Sequence, residues 1–248
     1  MLPFNSNLFA KAKALLLYVL FPNTCYACRR DLDLEQKEAL CDGCLKQIKT
    51  VGNLYCLRCG KPLPDGGAHC YQCRGSKARQ FKCKIIRSAV LFGPQVRSLV
   101  HAFKYADQSY LADFLAGIMH THFSDYADLA EAELIIPVPL HLKKAKTRGY
   151  NQAELLALAL GKKLELAVSC QSLKRVRNTT SQTKLGREGR LKNMSGAFEC
   201  VEPQQIKGKV ILLIDDVATT GATLECCAEA LKKAGAKKVM AYTLARET

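Results

Sequence analysis

Two groups of side chains have the type and spacing for chemistry. The first is a set of eight cysteines in four pairs, each with two residues between its members: Cys25/Cys28, Cys41/Cys44, Cys56/Cys59 and Cys70/Cys73. The second is the doublet Asp215-Asp216, which ends the apolar run Val210-Ile-Leu-Leu-Ile and leads into Val217-Ala-Thr-Thr-Gly-Ala-Thr223.

A two-residue gap lets both thiolates of a pair grip one ion from a tight knuckle, and two knuckles complete a tetrahedral site. Gaps of 12, 11 and 10 residues separate the pairs. This spacing fits sequential pairing, with Cys25, Cys28, Cys41 and Cys44 on one Zn²⁺ and Cys56, Cys59, Cys70 and Cys73 on another. It fits a cross-braced arrangement equally. Gly60, directly after Cys59, suits the turn a knuckle needs. A closed four-thiolate site leaves no position for water, so both ions are expected to be structural. Each contributes on the order of 10 kcal/mol of apparent binding energy to a module poor in large apolar residues. The competing explanation is disulfides, which require export. Ala14 to Phe21 is an apolar run behind two lysines, but no small-residue cleavage site follows. Asn23-Thr24 is a poor lipoprotein box before Cys25, and the run is far shorter than the ~20 residues of a membrane span. It reads instead as an amphipathic helix with Leu8, Ala12, Leu15, Leu16, Val19 and Leu20 on one face. A reducing cytoplasm is the expected home, with peripheral attachment at the inner membrane face as the alternative. Cys83, Cys170, Cys200, Cys226 and Cys227 read as buried free thiols, with Cys83 also placed to be a spare ligand.

Two carboxylates at the mouth of an apolar strand, followed by backbone with almost no side chains, make a different site. An open parallel sheet places ligands at the carboxyl ends of its strands. Loop amides, a helix N-terminus and threonine hydroxyls would surround an anion-sized hollow at Ala218, Thr219, Thr220, Gly221, Ala222 and Thr223. Carboxylates repel a phosphate alone. They suit a ligand carrying hydroxyl donors beside its phosphate, as ribose 5-phosphate does. The alternative is the Walker B strand of an ATPase, which needs a glycine-lysine phosphate loop upstream, and the sequence has none.

The elements that must hold these groups follow from periodicity. A polar, small-residue stretch at Arg74-Gly-Ser-Lys-Ala-Arg-Gln marks a boundary. Beyond it, strands are expected at Ile85 to Leu91, Glu133 to Leu140, Lys209 to Ile214 and Lys238 to Ala245. One or two helices are expected between Pro94 and Phe123, and further helices at Asn151 to Lys163 and Thr223 to Ala234. Strands alternating with helices predict an α/β fold with a parallel sheet covered on both faces. The predicted organisation is a helix over residues 1–24, a double zinc ribbon over 25–83 and an α/β domain over 84–248. Removing metal is expected to unfold the first eighty residues and to leave the rest largely intact.

The stretch Val210 to Leu224 resembles the phosphoribosyl pyrophosphate signature of type I phosphoribosyltransferases. Pro137-Val-Pro-Leu-His-Leu-Lys-Lys-Ala-Lys-Thr-Arg-Gly-Tyr-Asn-Gln-Ala-Glu154 resembles the segment after the second strand in ComF/GntX-family proteins. His101-Ala-Phe-Lys-Tyr105 fits too, as do Thr179, Gln182, Leu185, Arg190, Asn193 and Phe198, which fall in the register of that family's flexible loop. A cysteine-pair module ahead of a phosphoribosyltransferase-like domain is the family's plan, and the resemblance covers nearly the whole chain. It implies phosphoribosyl pyrophosphate with Mg²⁺ as ligand, Asp215, Asp216 and Arg148 as the catalytic set, and Lys104 and Arg148 beside residues 218–223 in binding. Lys143, Lys144 and Lys146 lie near Arg148 in the chain, and Arg175 to Asn193 has the composition of a lid. The family is associated with bringing transforming DNA into the bacterial cytoplasm, which implies membrane-associated competence machinery as partners.

Charge supplies a further expectation. The formal net charge is +15. Between Lys143 and Lys192 there are thirteen Lys/Arg against three Asp/Glu, more than one pyrophosphate requires. Single-stranded DNA is the expected polyanion, with Tyr105 and Tyr150 as stacking candidates. Purine salvage enzymes carry a further acid in the phosphate loop, where Val217-Ala218-Thr219 has none. Two readings follow: a DNA-handling competence factor with a phosphoribosyl pocket, or a transferase acting on an unidentified base or amine.

Overall fold

The computed structural model describes residues 23–33, 39–74, 81–105, 108–177, 189 and 193–248. Of the helix expected over residues 1–24, all but the last two residues lie outside these. In the first unit, the short helix α1 (Asp42–Lys46) and a single 3-10 turn at Tyr71–Cys73 carry cysteines. The second unit runs β1 (Ile86–Leu91), α2 (Pro94–Tyr105), α3 (Leu111–Thr121), β2 (Leu134–Pro137), α4 (Leu142–Arg148), α5 (Gln152–Leu164), β3 (Leu173–Arg175), β4 (Phe198–Cys200), α6 (Pro203–Ile206), β5 (Val210–Ala218), α7 (Ala222–Lys233) and β6 (Lys238–Arg246).

Four strands form one parallel sheet in the order β1-β6-β5-β2. β5 has a strand on each side and helices on each face, which is why its first five residues are all apolar. Val210, Leu212 and Ile214 pack with Leu156 and Leu160 of α5 and with Met240 and Tyr242 of β6. Ile211 and Leu213 point the other way, onto Leu224, Cys227 and Leu231 of α7. Each such buried Leu or Ile stabilises the fold by about 1.5–3 kcal/mol. The helix expected at Asn151 starts there because Asn151 Oδ1 accepts the Ala153 N–H at 3.2 Å, an N-cap bond.

Two features were not expected. β3 and β4 form a separate antiparallel pair, with Lys174 opposite Glu199 and Arg175 opposite Phe198. Leu173 and Phe198 are the apolar residues that bury it, a signal of three residues on each side and too short for periodicity to register. The first unit also docks along the sheet. Ile86 N–H donates to the Arg58 carbonyl at 2.7 Å and Leu91 N–H to the Lys49 carbonyl at 2.7 Å, so this unit covers the open edge of β1. Arg87, 3% exposed, donates to the Leu57 carbonyl at 2.9 Å and to Asp128 at 2.5 Å, between the rings of Tyr55 and Tyr126. These contacts join the two parts along the edge of β1, so the α/β part is predicted to lose order with the metal rather than to stand largely intact.

Candidate metal centres and sugar-phosphate site

The cysteines meet in two sets, Cys25/Cys28/Cys41/Cys44 and Cys56/Cys59/Cys70/Cys73, each with its four sulfurs within 4.8 Å of one another. The pairing is sequential, which spacing alone left open. Cys28 Sγ lies 3.7 Å from Cys41 Sγ, and Cys59 Sγ lies 3.7 Å from Cys70 Sγ. A tetrahedron with Zn–S bonds of about 2.3 Å has an edge of about 3.8 Å, so the donor set fits Zn²⁺.

The two sites are copies of one hairpin. Cys25 N–H donates to the Arg30 carbonyl and Cys56 N–H to the Lys61 carbonyl, both at 2.8 Å. Arg29 N–H donates to Cys25 O and Gly60 N–H to Cys56 O, both at 2.9 Å. Arg29 and Gly60 both hold positive φ, 63° and 67°. The second copy needs glycine for another reason: a Cβ at residue 60 would lie 2.6 Å from the Ile86 carbonyl oxygen. Cys83 belongs to neither site. It is buried with Leu224, Cys226 and Cys227, and its N–H donates to Glu225 at 3.1 Å, which removes it as a spare ligand.

At the carboxyl end of β5 the structure brings together residues from distant parts of the chain. Asp216, 8% exposed, accepts an ion pair from Lys104 Nζ at 2.5 Å. Its Oδ1 also accepts the Val217 N–H at 2.7 Å. Asp215 accepts the Asp216 N–H at 2.9 Å. Burial, together with the neighbouring Asp216 charge, pushes the Asp215 carboxyl up to about 7, opposed by Lys104. Ala218 is buried, and the chain turns at Gly221, whose φ is 77°. Gly221, the N-cap of α7, has no side chain to cap the first turn, so the helix dipole has its positive end at this loop. Within this loop Thr220 Oγ1 accepts the Ala222 N–H at 3.4 Å, and Thr223 Oγ1 donates to Met194 Sδ at 3.4 Å.

Arg148, at the end of α4, donates to Gln152 Oε1 at 3.1 Å and to the Tyr105 hydroxyl at 3.2 Å, with its guanidinium 5.0 Å from the Tyr105 ring centroid. Tyr105 follows Lys104 in the last turn of α2, so both cations are held by neighbouring residues. Lys146 is exposed. Tyr150 is not a stacking platform: its hydroxyl donates to the Phe103 carbonyl at 2.7 Å and its ring packs against Phe103. Tyr105 remains 64% exposed.

Sequence reasoning missed two residues here. Arg175 lies within electrostatic reach of Asp215 and Cys227, and burial pulls its guanidinium below the usual arginine range against those charges. Arg177 donates to the carbonyls of Asn193 (2.9 Å) and Ser195 (2.5 Å), tying together the two ends of the expected lid. Thr179, Gln182, Leu185 and Arg190 lie outside the described residues. Asn193 and Phe198 lie at the stem, where Phe198 sits beneath the Arg175 guanidinium. A basic residue inside a basic segment gave no sign of facing inward. Among the described residues, no helix is long and apolar enough to cross a membrane.

Comparison with known proteins agrees with this two-part architecture. Residues 16–74 match the double zinc ribbon domain, so the two cysteine clusters are structural zinc sites, and residues 146–248 match the phosphoribosyl transferase domain. The chain is 27% identical to DNA utilization protein YhgH of Escherichia coli K12 over 91% of its own length and 97% of that protein. It is 29% identical to competence protein ComFC of Bacillus subtilis over 86% of each. With competence protein F of Haemophilus influenzae it shares 33% identity over 90% of its own length and 96% of that protein. An agreement that runs through ribbon and α/β domain alike, and leaves almost none of the Haemophilus protein uncovered, makes this chain a member of the ComF family.

Proposed function

We propose that the chain binds phosphoribosyl pyrophosphate with Mg²⁺ at Asp215, Asp216 and residues 218–223, and acts on or beside incoming single-stranded DNA during natural transformation. The observation that carries the ligand reading is the meeting of an acidic pair, a half-buried lysine and the N-terminus of α7 at the carboxyl end of β5. In this reading Asp215 and Asp216 accept from the ribose hydroxyls, and the amides of 218–223 hold the 5-phosphate. Arg148 and Lys104 face the pyrophosphate, whose charge Mg²⁺ screens. The stem at Arg177 supports a lid that keeps water out. The names of the relatives support the DNA reading, as does a net charge of +15. The absence of a carboxylate from Val217-Ala218-Thr219 favours binding over base-directed turnover.

Calorimetric titration with phosphoribosyl pyrophosphate and Mg²⁺ tests the pocket. Wild-type protein is expected to give a saturable signal that the Asp215→Ala/Asp216→Ala double variant loses; no heat from folded wild-type protein overturns the assignment. Pyrophosphate release, measured with and without single-stranded DNA or free bases, separates a binding protein from a phosphoribosyltransferase. Electrostatic DNA binding is expected to weaken steeply with salt and to depend little on sequence.

A further inference from the structure

We propose that Arg246 ties the second zinc cluster to the phosphate loop, so that occupancy of that cluster and order in residues 218–223 rise and fall together. Arg246 ends β6 and is 3% exposed. Its Nη2 donates to Cys59 Sγ at 3.8 Å, a long N–H···S contact. Four thiolates on one dication carry a net charge of −2. A buried guanidinium beside them neutralises half of it and orients the sulfur it touches. The backbone of the same residue sits against the loop: Arg246 is in register with Ala218, and Glu247 N–H donates to the Ala218 carbonyl at 3.0 Å. On its other side the Arg246 carbonyl accepts the Phe92 N–H at 2.8 Å, which fixes the strand end from both flanks.

A second path runs in parallel through Ile86. Its N–H is bound to the Arg58 carbonyl inside the second knuckle. Its carbonyl oxygen would lie 2.6 Å from a Cβ on Gly60, and its Cδ1 would lie 2.9 Å from a Cβ on Gly221. The second knuckle and the loop are thus packed on opposite sides of one residue. Loss of the metal frees the knuckle at Arg58 to Gly60 and releases the Cys59 sulfur from the position that the Arg246 guanidinium contacts. Both disturbances fall on residues that support the loop. The first cluster has no such link among the described residues; it packs with Leu32 and Leu40 in the core on the α5 face.

The coupling rests on the sugar-phosphate reading only for its functional consequence, and the test separates the two. Full-length protein carrying two zinc ions is challenged with a chelator, and release is followed with a chromophoric zinc indicator. Hydrogen exchange is read in parallel on peptides covering residues 54–73 and 218–224. In Arg246→Met the zinc whose loss exposes 54–73 is expected to leave about 10–100-fold faster than in wild type, with the other zinc unchanged. Exchange at 218–224 is expected to rise in that variant, and in wild type once the same zinc is gone. Arg246→Lys keeps the charge but not the fork and is expected to fall between, which preserves the comparison if the methionine variant does not fold. Wild-type release rates in the variants, or unchanged exchange at 218–224 after the second cluster is stripped, overturns the coupling. Coupled release and exchange without any phosphoribosyl pyrophosphate binding leaves the coupling standing and removes the ligand assignment instead.

Discussion

Gly221→Ala probes the loop with a magnitude that the geometry sets. Residue 221 holds φ 77°, a conformation that costs an L-residue about 1–2 kcal/mol. The added Cβ would lie 2.9 Å from Ile86 Cδ1, closer than real contacts allow, so the end of the Ile86 side chain must move. Displacing a buried side chain from its rotamer adds about 0.5–1.5 kcal/mol. The expected destabilisation is about 2 kcal/mol, or roughly 4–8 °C in Tm for a chain of this size. Ile86→Val removes the offending carbon and alone costs about 0.5–1.5 kcal/mol. In the double variant the steric part disappears and the strain at φ remains, so the two changes should couple favourably by about 0.5–1.5 kcal/mol. Thermal melts followed by circular dichroism, with urea midpoints as a check, give all four corners of the cycle. Calorimetry well below Tm then asks whether the folded variant still binds phosphoribosyl pyrophosphate, which it should do at least 10-fold more weakly if the amides of this turn hold the phosphate. A melt unchanged by Gly221→Ala, or additive effects in the cycle, would refute the account of the turn.

Lys104→Met leaves the buried Asp216 carboxylate without its ion pair, and a loss of about 1–3 kcal/mol is expected in urea unfolding, with weaker ligand binding. Arg87→Met strips Asp128 and the Leu57 carbonyl of one shared partner at the junction of the two units; about 2–3 kcal/mol should be lost, and ribbon and sheet should still unfold in a single transition. Asp215 sits near 7 in the folded protein and near 3.8 when unfolded, so the native state holds its proton more tightly and this group's contribution to stability falls as pH rises between those values. Asp215→Asn should therefore raise Tm at pH 8 and change it little at pH 4, and binding to ribose hydroxyls should release a proton near pH 7, visible as a buffer-dependent heat. Chelating zinc should collapse near-ultraviolet signals from both units together, because the edge of β1 loses its cover; survival of a folded sheet would show that the units are separable.

Much of this protein was legible in the residue order because local rules sufficed. Paired cysteines at a two-residue gap announce a thiolate site whatever surrounds them. An apolar run such as Val210 to Ile214 has to be a strand buried on both faces, and acids directly behind it have to lie at the strand's carboxyl end. The α5 helix was readable from Asn151 and the leucines after it, because capping and amphipathicity act within a few residues. Tertiary structure decided what depends on distance along the chain. Which cysteine pairs share an ion is a question of chain path, since thiolates are interchangeable as ligands. Family resemblance placed Lys104 in the same site as Asp216, but only the fold, bringing α2 across more than a hundred residues to the end of β5, shows that the two form an ion pair. Tyr150 could have been a stacking surface until its hydroxyl was placed on Phe103. Arg87 and Arg246 look like ordinary surface charges in a basic chain; they are buried because the ribbon closes over the sheet edge, and only that closure puts a guanidinium beside a cysteine sulfur of the second cluster and a knuckle behind residues 218–223.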